Sequence, residues 1–147
     1  MRFSETYLYK IHALTHLLDK AFDRTLRTHA DISLSQLMVL LAVLEHTNAN
    51  QRQIARYLGI SAVAVKRQVD LAKQHCWLET ADGELRGDNL RLTADGMHAL
   101  QTGVQALEQH VLAIFDTHNQ SANLMQHLDL LLGNTKELLG TQQPPQN

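Results

Sequence analysis

The chain has 147 residues, of which 44% are hydrophobic and only 5% aromatic, and its formal net charge is −2. This length favours a single domain with a sizeable core, and the absence of proline before Pro144 favours a mostly helical fold. No apolar run reaches the roughly 20 residues of a membrane span, and the first ten residues lack the order of a signal peptide. One cysteine, Cys76, excludes an internal disulfide. We therefore expect a cytoplasmic protein without a membrane partner.

The first third of the chain predicts two amphipathic helices. The first covers about residues 4–29, and its apolar face recurs at three- and four-residue steps: Tyr7, Ile11, Leu14, Leu18 and Phe22. The second covers about residues 35–46, with Ser33 or Ser35 as its N-cap. Four leucines of this second helix are expected in the core: Leu37, Leu40, Leu41 and Leu44.

Residues 50–75 predict two short helices joined by a glycine turn. Asn50 and Gln53 resemble a capping box at the start of the third helix, and Gly59 can end that helix in the left-handed conformation. Ser61 can then cap a fourth helix that extends to about residue 75. This is the spacing of a helix-turn-helix, whose small core is expected to contain Ile54, Ala55, Leu58, Ile60, Val65 and Val69.

The remaining residues predict a β-hairpin and two long helices. The hairpin covers about residues 77–92, with Asp82-Gly83 as its turn. Thr93 can cap a fifth helix that extends to about residue 117, and residues 140–147 are expected to be disordered. A sixth helix follows a break near residues 119–121 and is rich in leucine: Leu124, Leu128, Leu131, Leu132, Leu138 and Leu139.

Positive charge is concentrated on the predicted helix-turn-helix. Residues 50–77 contain five basic side chains and one acidic side chain, Asp70, although the whole chain is slightly acidic. Contacts with the phosphates of nucleic acid require such a local excess of positive charge. A purely structural or protein-interaction domain has no need to concentrate charge there, so DNA binding is the favoured function.

Three stretches resemble the MarR family of bacterial transcriptional regulators: LSQLMVLLAVLEH (34–46), NQRQIARYLGISAVAVKRQVDLAKQHCWLE (50–79) and LRLTADGMHAL (90–100). The resemblance implies a homodimer of winged-helix subunits, held together by the first, fifth and sixth helices and often released from DNA by a small effector. The expected fold is mainly α with a small β-hairpin wing, in one domain of residues 1–139. Residues 34–92 form its winged helix-turn-helix, and residues 4–28 and 93–139 form its helical dimerisation region.

The fourth helix is expected to read base pairs in the major groove of double-stranded DNA. Its first residues are small and apolar, which suits contact with thymine methyl groups, and Lys66 and Arg67 can contact guanine or phosphate. The resemblance adds Arg86 in the wing, where Glu84-Leu85-Arg86 takes the place of the family's Asp-x-Arg motif. Acidic residues near the tip of the wing weaken its attraction to phosphate. The predicted DNA-contact residues are Gln51, Arg52, Ser61, Ala62, Val63, Ala64, Lys66, Arg67 and Arg86.

A small effector is expected to bind between the dimer helices and the winged helix. The second helix offers an apolar lining, and two histidines offer polar contacts, so the predicted pocket contains Met38, Leu41, Ala42, His46 and His98. The alternative is that these residues belong to the core, or that the protein binds DNA constitutively.

Other sensors and catalysis are the competing interpretations. His12 and His16 share a helix face with Asp19 and Asp23 and could hold a divalent metal, but a solvated polar face is the favoured interpretation. Cys76 could be a redox switch, but burial as a small hydrophobic residue is favoured. The sequence contains no Gly-rich phosphate loop, no nucleophile elbow and no HExxH motif, so we expect neither an enzyme nor a cofactor. A sequence-specific, pseudo-palindrome-binding repressor is the function predicted.

Overall fold

The computed structural model describes residues 2–46, 48–81, 89–111 and 121–140. They fall into two units, one within residues 1–111 and the other within residues 112–147. A 3-10 turn, Phe3–Glu5, precedes the first helix. The elements are α1 (Tyr7–His29), α2 (Leu34–Glu45), α3 (Gln51–Leu58), α4 (Ala62–Gln74), β1 (Leu78–Thr80), β2 (Leu90–Leu92), α5 (Ala94–His110) and α6 (Ser121–Gly140). None of these described helices is both long enough and apolar enough to cross a membrane.

Local side-chain chemistry sets the starts of the helices in the first unit. A complete capping box starts each of α2 and α3, formed by Ser33 with Gln36 and by Asn50 with Gln53. In each box, the side chain of each residue accepts a hydrogen bond from the backbone N–H of the other. Ser61 and Thr93 each accept a hydrogen bond from the backbone N–H three residues later and so cap α4 and α5. Gly59, with φ 68° and ψ 28°, ends α3 in the left-handed conformation. These predicted caps are confirmed.

One hydrophobic core joins the end of α1 to the next four helices and both strands. Its largest fully buried side chains are Leu26, Ile32, Leu37, Leu40, Ile54, Leu90, Val39, Val65 and Val69. Within the helix-turn-helix, the predicted burial of Ile54, Ala55, Val65 and Val69 is therefore confirmed, and Leu58 packs against the cluster while partly exposed.

Two side chains that were expected in the core lie at the surface. Leu44 is 45% exposed, and Val39, Ala42 and Val43 are buried on α2 instead. The buried face of α2 therefore includes its small and β-branched residues, which the spacing of the leucines did not indicate. Ile60 is 43% exposed because it follows the left-handed turn and belongs to neither helix of the pair.

The start of α5 is fixed against the junction between α4 and β1. The Thr93 backbone N–H donates to the Trp77 carbonyl at 3.1 Å, and the Thr93 hydroxyl donates to the Cys76 carbonyl at 2.5 Å. Gly96 permits this approach, since a Cβ there would lie 2.0 Å from the Trp77 carbonyl oxygen. The close contact holds the end of α4 and the start of the hairpin against the first turn of α5.

The two strands form an antiparallel pair with Glu79 opposite Arg91. Their base is fixed to the loop between α2 and α3, because the Leu90 backbone N–H donates to the Ala49 carbonyl at 3.0 Å. The hairpin is therefore confirmed at its base. The predicted Asp82-Gly83 turn lies outside the described residues.

The described part of the second unit is the helix α6. Its described side chains are exposed apart from Leu124, which is partly exposed, and the exposed apolar ones are Met125, Leu128, Leu130, Leu131, Leu132, Leu138 and Leu139. The fifth helix was expected to reach residue 117, but α5 ends at His110 and residues 112–120 lie outside the described part, as do residues 141–147. The prediction of a single domain over residues 1–139 remains a prediction.

Candidate nucleic-acid interface

The outward face of α4 carries the residues predicted to contact base pairs. Ala62 and Val63 are exposed in its first turn, and Val63 is 80% exposed, whereas Ala64 is partly exposed. Lys66 and Arg67 follow one turn later and are both exposed. Val65, Val69 and Ala72 are buried on the opposite face, so packing against the core fixes which face of α4 points outward.

The two central cations of α4 differ in their partners. The Lys66 ammonium forms a salt bridge of 2.7 Å with the Asp70 carboxylate, one helical turn further on. Across the residues that the structure describes, the Arg67 guanidinium has no hydrogen-bond or ion-pair partner. Arg67 is therefore the cation of this face that is available without breaking an existing contact.

The start of α3 supplies the residues predicted to position DNA through its backbone. Gln51 is partly exposed in the first helical position, and Arg52 beside it is exposed. Ser61 is exposed as well, but its hydroxyl already accepts the Ala64 backbone N–H at 3.1 Å. Ser61 therefore has a structural role as a cap, and any contact with phosphate must use the proton of its hydroxyl or its backbone.

Two other basic side chains of this region are engaged within the fold. The Lys73 ammonium donates to the Thr80 hydroxyl at 3.0 Å and so joins the end of α4 to β1. Arg91 forms a cross-strand salt bridge of 2.7 Å with Glu79. The predicted wing arginine, Arg86, lies outside the described residues, and its contact with DNA remains a prediction.

The predicted effector residues lie in different environments. Ala42 is fully buried in the core, Leu41 packs against it while partly exposed, and Met38 is exposed at 41%. His46, which is the C-cap residue of α2, is exposed. His98, on α5, is exposed as well. His46 lines a cavity of about 580 Å³ whose other described lining residues, Glu45, Asn48, Ala49, Gln53, Arg56 and Tyr57, were not predicted. The sequence pattern gave no signal for this cavity, because its members come from a turn and two helix ends.

The two histidines that could form a metal sensor, His12 and His16, are also exposed. His12 and His16 lie on α1 and line a cavity of about 400 Å³ with Leu8, Ile11, Thr15 and Asp19. In residues 2–46, 48–81, 89–111 and 121–140, no group of three metal-ligating side chains is present.

Cys76 was expected to be buried, but it is exposed. It adopts a left-handed backbone conformation with φ 58° just after α4 ends, and this turn directs the chain out of the helix. The next side chain, Trp77, is partly exposed and stacks on His75 with 4.5 Å between ring centroids. The left-handed turn after α4 therefore places the Cys76 side chain at the surface.

Comparison of the sequence with protein-family profiles and with curated proteins finds no match. Solved structures, by contrast, match most of the chain. A MarR-family transcriptional regulator from Rhodococcus sp. RHA1 is 15% identical, with 89% of this chain and 93% of that chain covered and a TM-score of 0.78. The transcriptional repressor CouR, bound to a 23-mer DNA duplex, is 19% identical, with coverages of 88% and 94% and a TM-score of 0.76.

The Mycobacterium tuberculosis MarR-family protein Rv2887 is similar in two states. Its complex with DNA is 13% identical, covers 86% of this chain and 97% of that chain, and has a TM-score of 0.73. Its complex with salicylic acid is 13% identical, with coverages of 86% and 96% and a TM-score of 0.72. The chain therefore has the winged helix-turn-helix fold of these regulators, and the predicted fold class is confirmed.

Proposed function

We propose that the protein is a MarR-family transcriptional regulator that binds double-stranded DNA in a sequence-specific manner. The observation that carries this proposal is the outward face of α4, where exposed Ala62 and Val63 lie one turn before the unpaired Arg67. Small apolar side chains can contact thymine methyl groups. An unpaired guanidinium can donate two hydrogen bonds to a guanine base. The charge of the surrounding segment supports the same function, since five of its six charged side chains are basic.

Positioning contacts come from α3 in this proposal. Gln51 and Arg52 contact phosphates beside the major groove, and the N-terminus of α4 adds backbone N–H groups. Arg86 contacts the minor groove or the backbone from the wing. The acidic residues near the tip of the wing limit the strength of that contact.

The protein acts as a homodimer in this proposal. Both α1 and α6 carry exposed apolar side chains, such as Tyr7 and Ile11 on α1 and Leu131 and Leu132 on α6. Exposed apolar surface of this extent is typical of an interface. A twofold dimer then binds a pseudo-palindromic operator whose half-sites are about 34–36 Å apart, one helical turn of DNA.

The regulator represses transcription in the cytoplasm and is released from DNA by a small effector. The repressor name of CouR and the salicylic acid bound to Rv2887 support this part of the proposal by similarity of fold. The predicted effector residues Met38, Leu41, Ala42, His46 and His98 remain candidates. An effector that favours one spacing of the two recognition helices by a few kcal/mol is sufficient to shift the population of binding-competent dimers.

Selection of bound fragments from genomic DNA tests this function directly. We expect recovery of fragments that share a pseudo-palindromic sequence, and the genes beside them will indicate the signal to which the regulator responds. Recovery of fragments without a shared sequence would instead favour non-specific binding, and recovery of none would favour a protein-interaction domain.

A further inference from the structure

A cavity of about 580 Å³ lies where the end of α2 meets α3, away from the outward face of α4. Its described lining consists of Glu45, His46, Asn48, Ala49, Gln53, Arg56 and Tyr57. Asn48 adopts a left-handed conformation with φ 60° and turns the chain from α2 back towards α3. The volume lies within the range of about 300–1,000 Å³ that is typical of pockets for small molecules.

Two aromatic rings form one fixed wall of this cavity. The His46 ring meets the Tyr57 ring edge to face, with 4.3 Å between centroids and an angle of 73°. The Tyr57 hydroxyl donates a hydrogen bond to the Glu45 carboxylate, and this bond raises the pKa of Tyr57 above its ordinary value of 10.0. The tyrosine is therefore a neutral, oriented ring at neutral pH, and it offers an apolar surface to a ligand.

Opposite charges line the same cavity without neutralising each other. Glu45 and Arg56 both contribute to the lining, yet they form no salt bridge, so their charged atoms are more than 4.0 Å apart. In the described part of the chain, the Arg56 guanidinium has no partner. The Glu45 carboxylate accepts the tyrosine hydroxyl and retains the capacity to accept further hydrogen bonds.

The Gln53 amide adds an oriented neutral polar group to the lining of the cavity. The Gln53 amide oxygen accepts the Asn50 backbone N–H at 2.9 Å, which fixes the orientation of this side chain and leaves its amide nitrogen as a donor. The cavity thus combines the Arg56 guanidinium, the Glu45 carboxylate, the oriented Gln53 amide and an aromatic wall. These groups complement a ligand that carries one negative charge, one positive charge and an apolar group.

We propose that this cavity binds a small zwitterion of the α-amino acid class with an apolar or aromatic side chain. In this arrangement the ligand carboxylate pairs with the Arg56 guanidinium, and the ligand ammonium group pairs with the Glu45 carboxylate. The side chain of the ligand packs against the Tyr57 and His46 rings. The proposal concerns binding alone, so it does not depend on the proposed DNA-binding function.

Titration of the full-length protein with L-phenylalanine tests the proposal. The readout is the NMR signals of the His46 and Tyr57 rings, and we expect saturable shifts of both. Two matched ligands separate the charges: 3-phenylpropanoate lacks the ammonium group and phenethylamine lacks the carboxylate. Each is expected to bind at least about tenfold more weakly than L-phenylalanine, because each leaves one charge of the cavity unpaired. Equal binding of either one would overturn the proposal in favour of a simple carboxylate or amine site.

Substitutions provide the second arm of the experiment. Arg56→Gln and Glu45→Gln each remove one charge, and a glutamine at position 45 can still accept the Tyr57 hydroxyl and hold the ring. We expect each to weaken L-phenylalanine binding about tenfold or more. Arg52→Gln removes the same charge from the same helix, one turn away and outside the cavity. This control variant should leave the affinity for L-phenylalanine unchanged. Loss of affinity in Arg52→Gln equal to that in Arg56→Gln, or unshifted ring signals in the wild-type protein, would contradict the proposal.

Discussion

Lys66 and Asp70 form a salt bridge of 2.7 Å across one turn of α4, on the face proposed to meet DNA. The Lys66 side chain is 65% exposed and the Asp70 side chain 51% exposed, so solvent screens the pair. An exposed helical pair of this spacing contributes only about 0.3–0.5 kcal/mol. Lys66 can therefore leave Asp70 for a phosphate at small cost, but Asp70 then remains as a negative charge close to the DNA.

We expect Asp70→Asn to increase binding to all DNA sequences and to reduce discrimination between them. The substitution releases Lys66 and removes a carboxylate that repels phosphate. The plot of log K against log salt should become steeper by about one, which corresponds to one additional phosphate contact. Fluorescence anisotropy with operator and scrambled duplexes at several salt concentrations measures both effects. Asp19→Asn, an exposed change on α1, is the control, and an unchanged slope in Asp70→Asn would contradict this role for the salt bridge.

Gly96→Ala is expected to destabilise the fold by about 1–3 kcal/mol. A Cβ at this position would lie 2.0 Å from the Trp77 carbonyl oxygen, and a backbone atom cannot move aside as a flexible side chain can. Urea denaturation followed by circular dichroism measures the change. Gln101→Ala, at an exposed position of the same helix, should change stability by less than about 0.5 kcal/mol. Equal stability of Gly96→Ala and the wild type would show that α5 does not approach Trp77 this closely.

The Asp23 carboxylate links α1 to the start of α2 through a hydrogen bond. Its contribution to the free energy of unfolding should depend on pH. Burial tends to raise the pKa of Asp23, but hydrogen bonds from the Arg27 side chain and the Leu34 backbone N–H outweigh it, and the pKa falls below its ordinary value of 3.8. The stabilisation is therefore present above pH 3.8 and is lost as the pH falls through the lowered pKa.

Asp23→Ala should accordingly reduce stability by about 1 kcal/mol at neutral pH, an estimate kept small because the side chain is 37% exposed. The difference from the wild type should shrink towards zero in acid. Urea denaturation at pH 7 and at pH 3 measures it, with Asp19→Ala, the same replacement at an exposed position of α1, as the matched control. A difference that stays constant between these pH values would assign the effect to packing and not to the carboxylate.

A mass of about twice the 16.6 kDa of one chain is expected from light scattering at micromolar concentration. The apolar side chains exposed on α6 require a partner surface, and a second copy supplies one in the proposed function. Leu131→Glu should shift the protein towards the monomer, whereas Gln126→Glu adds the same charge to the same helix without removing an apolar side chain. A wild-type mass near 16.6 kDa would contradict the dimer.

The parts of the fold that the sequence predicted well are those that depend on local chemistry. Ser33, Asn50, Ser61 and Thr93 each start a helix, since a cap acts only on the backbone of its own first turn. Gly59 adopts the left-handed conformation for an equally local reason. These short-range interactions are readable without knowledge of the tertiary structure.

The errors concern features that depend on tertiary packing. The exposure of Leu44, Ile60 and Cys76 depends on which neighbours cover them, and residue spacing does not contain that information. The cavity at Arg56 and Tyr57 was missed because turn geometry brings the end of α2 to α3. The Lys66–Asp70 salt bridge, by contrast, joins residues four apart on one helix. This spacing is visible in the sequence and indicates an ion pair without knowledge of the tertiary structure.

The proposed reading of DNA sequence by α4 depends above all on Arg67, the exposed guanidinium of its outward face that has no partner among the described residues. Anisotropy titration of the selected operator should show that Arg67→Ala weakens specific binding by about 1–3 kcal/mol and narrows the preference for operator over scrambled DNA. Arg52→Ala, which removes a proposed phosphate contact, should instead weaken binding to both duplexes alike and reduce the salt slope by about one. If Arg67→Ala binds the operator with the affinity and preference of the wild type, α4 does not read the sequence in the way proposed.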